Sequence, residues 1–230
     1  MTQLPVTGPV TRHPSRAARP IGLLGGTFDP IHHGHLRLAE ELGEQLGLDC
    51  VRFLPTGTPP HRGQPRAPAA HRLAMVKLAI ADNPRFILDE HEIHKTEACY
   101  MADTLAELRA ELGPDHPIVL FLGADAFAGL ESWHDWRRLF GLAHFAIAER
   151  PGCHLDRAMP PALADEFSAR VCHLPADLAA TPAGRVCRLA ITQLDISASL
   201  IRELVGQGRS ARYLLPAPVL DYIQQNHLYR

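Results

Sequence analysis

No stretch of this chain approaches the roughly 20 consecutive apolar residues that a membrane-spanning helix requires. No pair of cysteines stands in C-x-x-C spacing, which removes the commonest zinc and dithiol frameworks. There is no excess of positive charge either. Lys and Arg number 23 against 25 Asp and Glu, a formal net charge of −2, whereas a protein that coats nucleic acid needs a large basic surplus. Any anion site must therefore be local. Internal repeats and low-complexity runs are missing as well. Residues 1–19 hold Arg12, Arg16 and Arg19 with three prolines but no apolar core, so a flexible tail is expected there rather than a cleaved secretory signal.

With 230 residues, of which 46% are hydrophobic and 21% charged, the chain has the size and composition of a soluble globular protein. A single domain over 20–230 is expected, including a helical C-terminal region from about residue 196. Cys50, Cys99, Cys153, Cys172 and Cys187 are odd in number and widely spaced. Their expected state is that of buried, reduced thiols in a cytoplasmic protein.

Strand-like and helix-like segments alternate after the first 19 residues, the pattern of an α/β protein with a doubly wound parallel sheet. Strands are expected over 21–24, 51–55, 86–88, 118–122 and 144–148, and helices over 36–46, 69–81, 101–112 and 133–140. The stretch 151–182 reads as less regular, and an apolar segment over 186–191 and two further helices follow it. In such sheets ligands collect at the C-terminal ends of the strands, where the strand order reverses. The polar clusters of this sequence all fall after expected strands.

The richest cluster is Gly25-Gly26-Thr27-Phe28-Asp29-Pro30-Ile31-His32-His33-Gly34-His35, between the first strand and the first helix. Paired glycines let backbone N–H groups approach an anion with no Cβ in the way, and the following helix turns its positive end to the same spot. His32 and His35, three apart, can face that spot together. His33 breaks the spacing and reads as a turn or surface residue, and Asp29 is expected to brace the turn. A second loop, Pro-Thr-Gly-Thr-Pro-Pro-His-Arg over 55–62, is stiffened by prolines and delivers the cation Arg62. Further on, Gly123 permits close approach, and Asp125 either takes a ribose hydroxyl or simply occupies the first turn of a helix. Ser197 or Ser199 can cap another helix, whose first turn carries Arg202. A cation there opposes the macrodipole. A phosphate held by free N–H groups, a serine hydroxyl and the guanidinium would resolve the conflict; a plain capped helix with a solvated arginine is the alternative.

The histidine run resembles the Gly-x-Phe-Asp-x-x-His-x-Gly-His signature of the nucleotidyltransferase superfamily. Tyr100-Met101-Ala102-Asp103-Thr104-Leu105 resembles a Ser-Tyr-Thr-x-x-Thr-Leu segment, and Gly123-Ala124-Asp125 with Trp133-His134-Asp135-Trp136 resembles a Gly-x-Asp-Ser run followed by a Trp-centred one. Arg150-Pro151-Gly152 and the run from Tyr213 to Tyr229 match as well. Together these segments are similar to the bacterial nicotinate-nucleotide adenylyltransferase family over nearly everything from Ile21 to Arg230. The chain departs from that pattern at Arg62, where lysine is frequent and the charge geometry differs. It also departs at Cys99 and Met101, where Ser and Thr are usual, and at Ala198, where a second serine is frequent.

The resemblance implies a Rossmann-like nucleotidyltransferase fold and transfer of AMP from ATP to nicotinate mononucleotide, giving deamido-NAD and pyrophosphate in NAD biosynthesis. It implies His32, His35 and Arg62 as catalytic groups, with the histidines on the ATP phosphates and His35 on the α-phosphate. Gly25, Gly26, Thr27, Phe28, Gly123 and Asp125 would bind ATP, with Ser197, Ser199 and Arg202 on its β- and γ-phosphates. Tyr100, Thr104, Trp133 and His134 would bind the mononucleotide, Trp133 stacking on the pyridine ring. Mg2+ would ride on the phosphates with no ligand from a protein side chain. No nucleic-acid or membrane partner is implied. One other reading is a different adenylyl- or cytidylyltransferase of the superfamily, such as one acting on phosphopantetheine, which would lack the Trp133 segment. A class I aminoacyl-tRNA synthetase shares a similar histidine motif, but this chain has no Lys-Met-Ser-Lys-Ser segment. A non-catalytic metal-binding or nucleotide-sensing protein is suggested by the 14 histidines and the pairs His32/His35 and His91/His94.

Overall fold

One parallel sheet of seven strands organises the molecule. The computed structural model describes residues 19–57, 64–149, 155, 159–174, 176–192 and 194–230. The strands are β1 (Ile21–Gly26), β2 (Val51–Pro55), β3 (Phe86–Leu88), β4 (Ile118–Gly123), β5 (His144–Glu149), β6 (Val171–Cys172) and β7 (Val186–Ala190). Their spatial order is β3-β2-β1-β4-β5-β7-β6, every neighbouring pair parallel. The helices are α1 (His33–Gln45), α2 (Ala69–Ile80), α3 (Met101–Leu112), α4 (Ala124–Ala128), α5 (Trp136–Leu142), α6 (Pro161–Arg170), α7 (Ala176–Ala180), α8 (Ala198–Gly206) and α9 (Ala217–Gln225).

A parallel sheet is covered on both faces, so its central strands are apolar throughout. In β4 the residues from Ile118 to Leu122 are all buried, and they divide by the two-residue period of a strand. Val119 and Phe121 join Leu24, Phe53, Ala146 and Ala148 in a core that also holds Leu42 of α1, Met75 of α2, Ile201 of α8 and Val219 of α9. Ile118, Leu120 and Leu122 join Leu23, Leu54, Phe145 and Ile147 in a second core with Leu105 of α3, Phe127 of α4, Leu139 of α5 and Phe167 of α6. Helices on both faces make this the doubly wound architecture that the alternation of segments predicts.

The differences from the sequence reading are local. α1 begins at His33 rather than near residue 36, because His32 serves as its N-cap and the His35 ring accepts the His32 amide. The helix expected over 133–140 is divided. A 3₁₀ turn at Leu130–Ser132 precedes an extended Trp133, and Asp135 takes φ 51° and ψ 40° before α5 starts at Trp136. Aspartate tolerates that left-handed conformation better than most residues, so it can interrupt the helical run. The stretch read as irregular contains α6, β6 and α7.

Cys172 and Cys187 face each other in register across β6 and β7 and form a disulfide, Cα–Cα 5.3 Å. This corrects the expectation of reduced thiols for those two, since cysteines far apart in sequence carry no pairing signal. Cys50 and Cys99 are free. The tail over 1–19, apart from Arg19, lies outside the described residues, as do Arg62, Cys153 and the Arg150-Pro151-Gly152 run.

Candidate active site

The strand order reverses between β1 and β4, and a cleft of about 930 Å³ lies at their C-terminal ends. β1 enters it through Gly25 and Gly26, β4 through Gly123. Past Gly26 and Thr27, Phe28 adopts φ 48°. Its buried ring packs on Phe53 and meets the edge of the His35 ring, 5.1 Å between centroids. Phe28 is thus a support for His35. The His35 ring in turn stacks on His32 at 3.8 Å, and its Nδ1 accepts the His32 amide at 3.3 Å. In the neutral ring that bond assigns the proton to Nε2. His32 is 6% exposed, and burial, with a smaller repulsion from His33, lowers its pKa to about 4. It is neutral at physiological pH. Its buried Nδ1 makes no hydrogen bond of ordinary geometry, and the donor turned to the side chain is the backbone N–H of His35, in a capping box at the head of α1. His33 begins α1 outside the cleft lining, its amide donating to the Leu214 carbonyl.

α8 supplies another part of the cleft lining. Ser197 caps it, Oγ accepting the Leu200 amide at 3.1 Å. Ser197, Ala198 and Ser199 line the same cleft as Gly34 and His35 from the first turn of α1. Two helix N-termini therefore converge, each turning its positive end to the cleft; in α1 the amides of His33 and His35 are already engaged, by the carbonyls of Leu214 and His32. Arg202 is not a solvated group. Nη1 donates to the Asp29 carbonyl at 2.7 Å, Nη2 to Ser199 Oγ at 3.1 Å, and Nε is buried without a partner. Asp29 braces more than its own turn. Its carboxylate accepts the amides of Arg66 and Ala67 at 2.8 and 3.1 Å and the Tyr229 hydroxyl at 2.7 Å.

Thr27, Asp125, Tyr100 and Trp133 also line the cleft. Asp125 sits in the first turn of α4. Tyr100 is the N-cap residue of α3, and no side chain caps that helix. His134 does not reach the lining; its ring lies behind Tyr100, 4.5 Å between centroids. Thr104 is interior, 1% exposed, with Oγ1 2.7 Å from Glu92 Oε1. The sequence-derived residues thus come together in one cleft except for Thr104 and His134, which stand behind it, and Arg62, which is outside the described residues.

The chain is similar to known proteins. Residues 23–204 match the family model described as cytidylyltransferase-like. A probable nicotinate-nucleotide adenylyltransferase from Dechloromonas aromatica is 53% identical, covering 93% of this chain and 99% of its own. One from Halorhodospira halophila is 51% identical over 92% and 95%. The chain belongs to that family. A nicotinic acid mononucleotide adenylyltransferase from Plasmodium falciparum, solved in complex with NaAD, shares the fold with a TM-score of 0.70 at 19% identity, over 92% of this chain and 97% of that one.

The adenylyltransferase also has site-forming residues that the sequence reading missed. Arg72 of α2 is 1% exposed and bonds four backbone carbonyls. Nη1 reaches Thr27 at 2.8 Å and Thr56 at 2.7 Å, Nη2 reaches Gly57 at 3.0 Å, and Nε reaches Ala67 at 3.2 Å. It ties the turn at Thr27 to the chain on both sides of residues 58–63. The available signal was its helical spacing with Met75, Val76 and Ile80, which places a cation on the buried face of α2. Glu92 is 2% exposed and raised in pKa by burial; its carboxylate takes the Thr104 and Thr56 hydroxyls. Glu41 of α1 accepts the amide of Thr192, a cleft residue, at 2.6 Å.

Among the described residues no group of three or more His, Cys, Asp or Glu is placed to hold a metal ion. His91 pairs with Asp89 and Glu111, and His94 with Glu90. In the cleft, the carboxylates of Asp29 and Glu92 are engaged by amides and hydroxyls. The cleft's cation Arg202 and the two helix N-termini suit phosphate oxygens, so a divalent ion fits this site by way of a nucleotide's phosphates.

Proposed function

We propose that this adenylyltransferase joins AMP from ATP to nicotinate mononucleotide, forming deamido-NAD and releasing pyrophosphate. The observation that carries the reading is the convergence in one cleft of two helix N-termini, His32, His35 and Arg202, beside the aromatic residues Tyr100 and Trp133. ATP lies with its phosphates between the first turns of α1 and α8. An oxygen of the mononucleotide phosphate attacks the α-phosphorus in line, the bond to the bridging oxygen breaks, and pyrophosphate leaves with the electron pair. The protein contributes positioning and stabilisation of negative charge. His35, held by Phe28 and His32, presents Nε2–H to the α-phosphate. Ser197, Ser199 and Arg202 hold the β- and γ-phosphates, Asp125 takes a ribose hydroxyl, and Arg62 adds positive charge. Mg2+, when bound to the phosphate oxygens, neutralises part of their charge. ATP as donor supports a cytoplasmic setting, and we read residues 20–230 as one domain.

Trp133 stacks on the pyridine ring, and the leading amides of α3, which no side chain caps, take its carboxylate. Thr104 and Glu92 act as positioning residues by tying the start of α3 to Thr56. A carboxamide would set its own NH₂ against those N–H donors and leave them unpaired, at about 1–3 kcal/mol each. Two such donors imply a preference for the acid of roughly 10²-fold or more in kcat/KM. Pyrophosphate release measured with nicotinate mononucleotide, nicotinamide mononucleotide and phosphopantetheine tests the reading. Comparable values for the two mononucleotides would overturn the acceptor assignment. Preference for phosphopantetheine would move the enzyme elsewhere in the superfamily.

A further inference from the structure

Asp29 joins segments far apart in the chain. Oδ2 accepts the Arg66 amide; Oδ1 accepts the Ala67 amide and, across 200 residues, the Tyr229 hydroxyl. Its backbone carbonyl takes Arg202 Nη1, which stands 3.9 Å from Oδ2, beyond hydrogen-bond distance. Arg202 therefore lies beside a buried carboxylate that it does not grip. Guanidinium and carboxylate normally close into a two-point pair. Here the three donors on Asp29 hold its carboxylate in another orientation, and Tyr229 is the donor that comes from a side chain.

The Tyr229 segment is built for that approach. Tyr229 has φ 64° and His227 φ 52°, left-handed conformations that cost roughly 1–2 kcal/mol per residue. The Tyr229 carbonyl passes so close to the last residue of α8 that a Cβ at Gly206 would sit 3.2 Å from its oxygen. One residue thus contacts both the helix that carries Ser197, Ser199 and Arg202 and the turn that leads to His32. Burial, and then the bond to Asp29, push the Tyr229 hydroxyl pKa upwards, so it remains a proton donor.

We propose that Tyr229 is a positioning residue for the phosphate site: its hydroxyl fixes the Asp29 carboxylate and so keeps Arg202 directed to phosphate instead of paired with Asp29. The inference rests on the proposed ATP site. Without the hydroxyl, Asp29 Oδ1 keeps only the Ala67 amide, the carboxylate can rotate, and Oδ2 closes the remaining distance to Arg202 Nη1. ATP then has to break an ion pair before Arg202 can serve it.

The test is calorimetric binding of α,β-methylene-ATP to the full chain, which needs no acceptor and no turnover. Tyr229→Phe is expected to weaken binding about 3- to 10-fold, the loss of one well-placed charged contact. In an Arg202→Ala background the same change is expected to have no further effect, because the two act through one contact. Tyr222→Phe removes another hydroxyl, the one 2.9 Å from His71 Nδ1, and controls for general loosening near α9; it is expected to bind like the wild type. Equal binding by Tyr229→Phe and wild type overturns the proposal. So does an additive loss with Arg202→Ala, or an equal loss in Tyr222→Phe. Failure of the wild type itself to bind the analogue would instead remove the proposed ATP site.

Discussion

Gly34 offers a substitution in which stability and activity are expected to part. It is the second residue of α1, and a Cβ built on it lies 3.0 Å from both Cε1 and Nδ1 of His32, where ordinary contact begins at 3.4 Å. The His32 ring is 6% exposed and stacked on His35 at 3.8 Å, so it has little room to retreat. Gly34→Ala must displace it by several tenths of an ångström and carry His35 with it. Misplacement approaching 1 Å costs up to about 10²-fold in rate. The backbone responds in the opposite sense: alanine in a helix is favoured over glycine by roughly 0.5–1 kcal/mol, which offsets much of the strain of an added methyl. The expected outcome is a thermal midpoint within about 4 °C of wild type and a kcat for AMP transfer lowered about 3- to 10-fold. Steady-state pyrophosphate release at saturating substrates, with parallel thermal melts, measures both. A folded Gly34→Ala enzyme with kcat within about twofold of wild type would refute the argument that the His32–His35 stack must sit where it does.

Three further outcomes are expected. Arg72→Met leaves the carbonyls of Thr27, Thr56, Gly57 and Ala67 unpaired; even after the buried guanidinium's desolvation is relieved, a loss of about 2–4 kcal/mol is expected in urea unfolding, and an unchanged midpoint contradicts it. His35→Ala removes a preorganised donor and is expected to lower kcat by roughly 10²-fold with a smaller effect on KM; near-normal turnover in the folded variant sinks the assignment. His144 is fully buried, with Nε2 2.8 Å from the Thr181 carbonyl and Nδ1 accepting the Arg185 amide, and burial lowers its pKa from 6.5 to about 4. The unfolded chain therefore takes up a proton near pH 6.5 that the folded one refuses until about pH 4. Stability from this group is fully present above pH 6.5 and lost as pH falls towards 4, by about 3 kcal/mol, with His32 adding a loss of the same sign. His144→Gln is expected to flatten the dependence of unfolding free energy on pH over that window, and a slope parallel to wild type contradicts this.

The sequence reading succeeds where local rules and tertiary structure agree. β2, β3 and α3 have the limits that alternation and helical spacing assign, β5 runs on by one residue, and β1 and β4 run on by two and one into the cleft. Those extra residues include Gly25, Gly26 and Gly123, which are paired as strand yet lack the side chains by which strands are recognised. The histidine turn and the Ser197 cap were legible because each carries its chemistry within a few residues. Arg72, Glu92 and Tyr229 were not, since each acts on backbone or side chains from other segments and only the folded sheet brings those partners to it. The Trp133 segment misled because Asp135 breaks its helix through a left-handed backbone that no periodicity announces. Phe28 was legible as part of the motif, but its place beneath His35 required the structure.

The account stands most directly on where the phosphorus atoms of ATP go. Incubation of the protein with nicotinate mononucleotide and ATP labelled in turn at the α- and γ-phosphate follows them. If the cleft aligns the mononucleotide phosphate with the α-phosphorus, the α-label appears in deamido-NAD, the γ-label appears in pyrophosphate, and none is retained on the protein. Label left on the protein, γ-label transferred to the mononucleotide, or ATP unchanged beside it would each contradict direct adenylyl transfer.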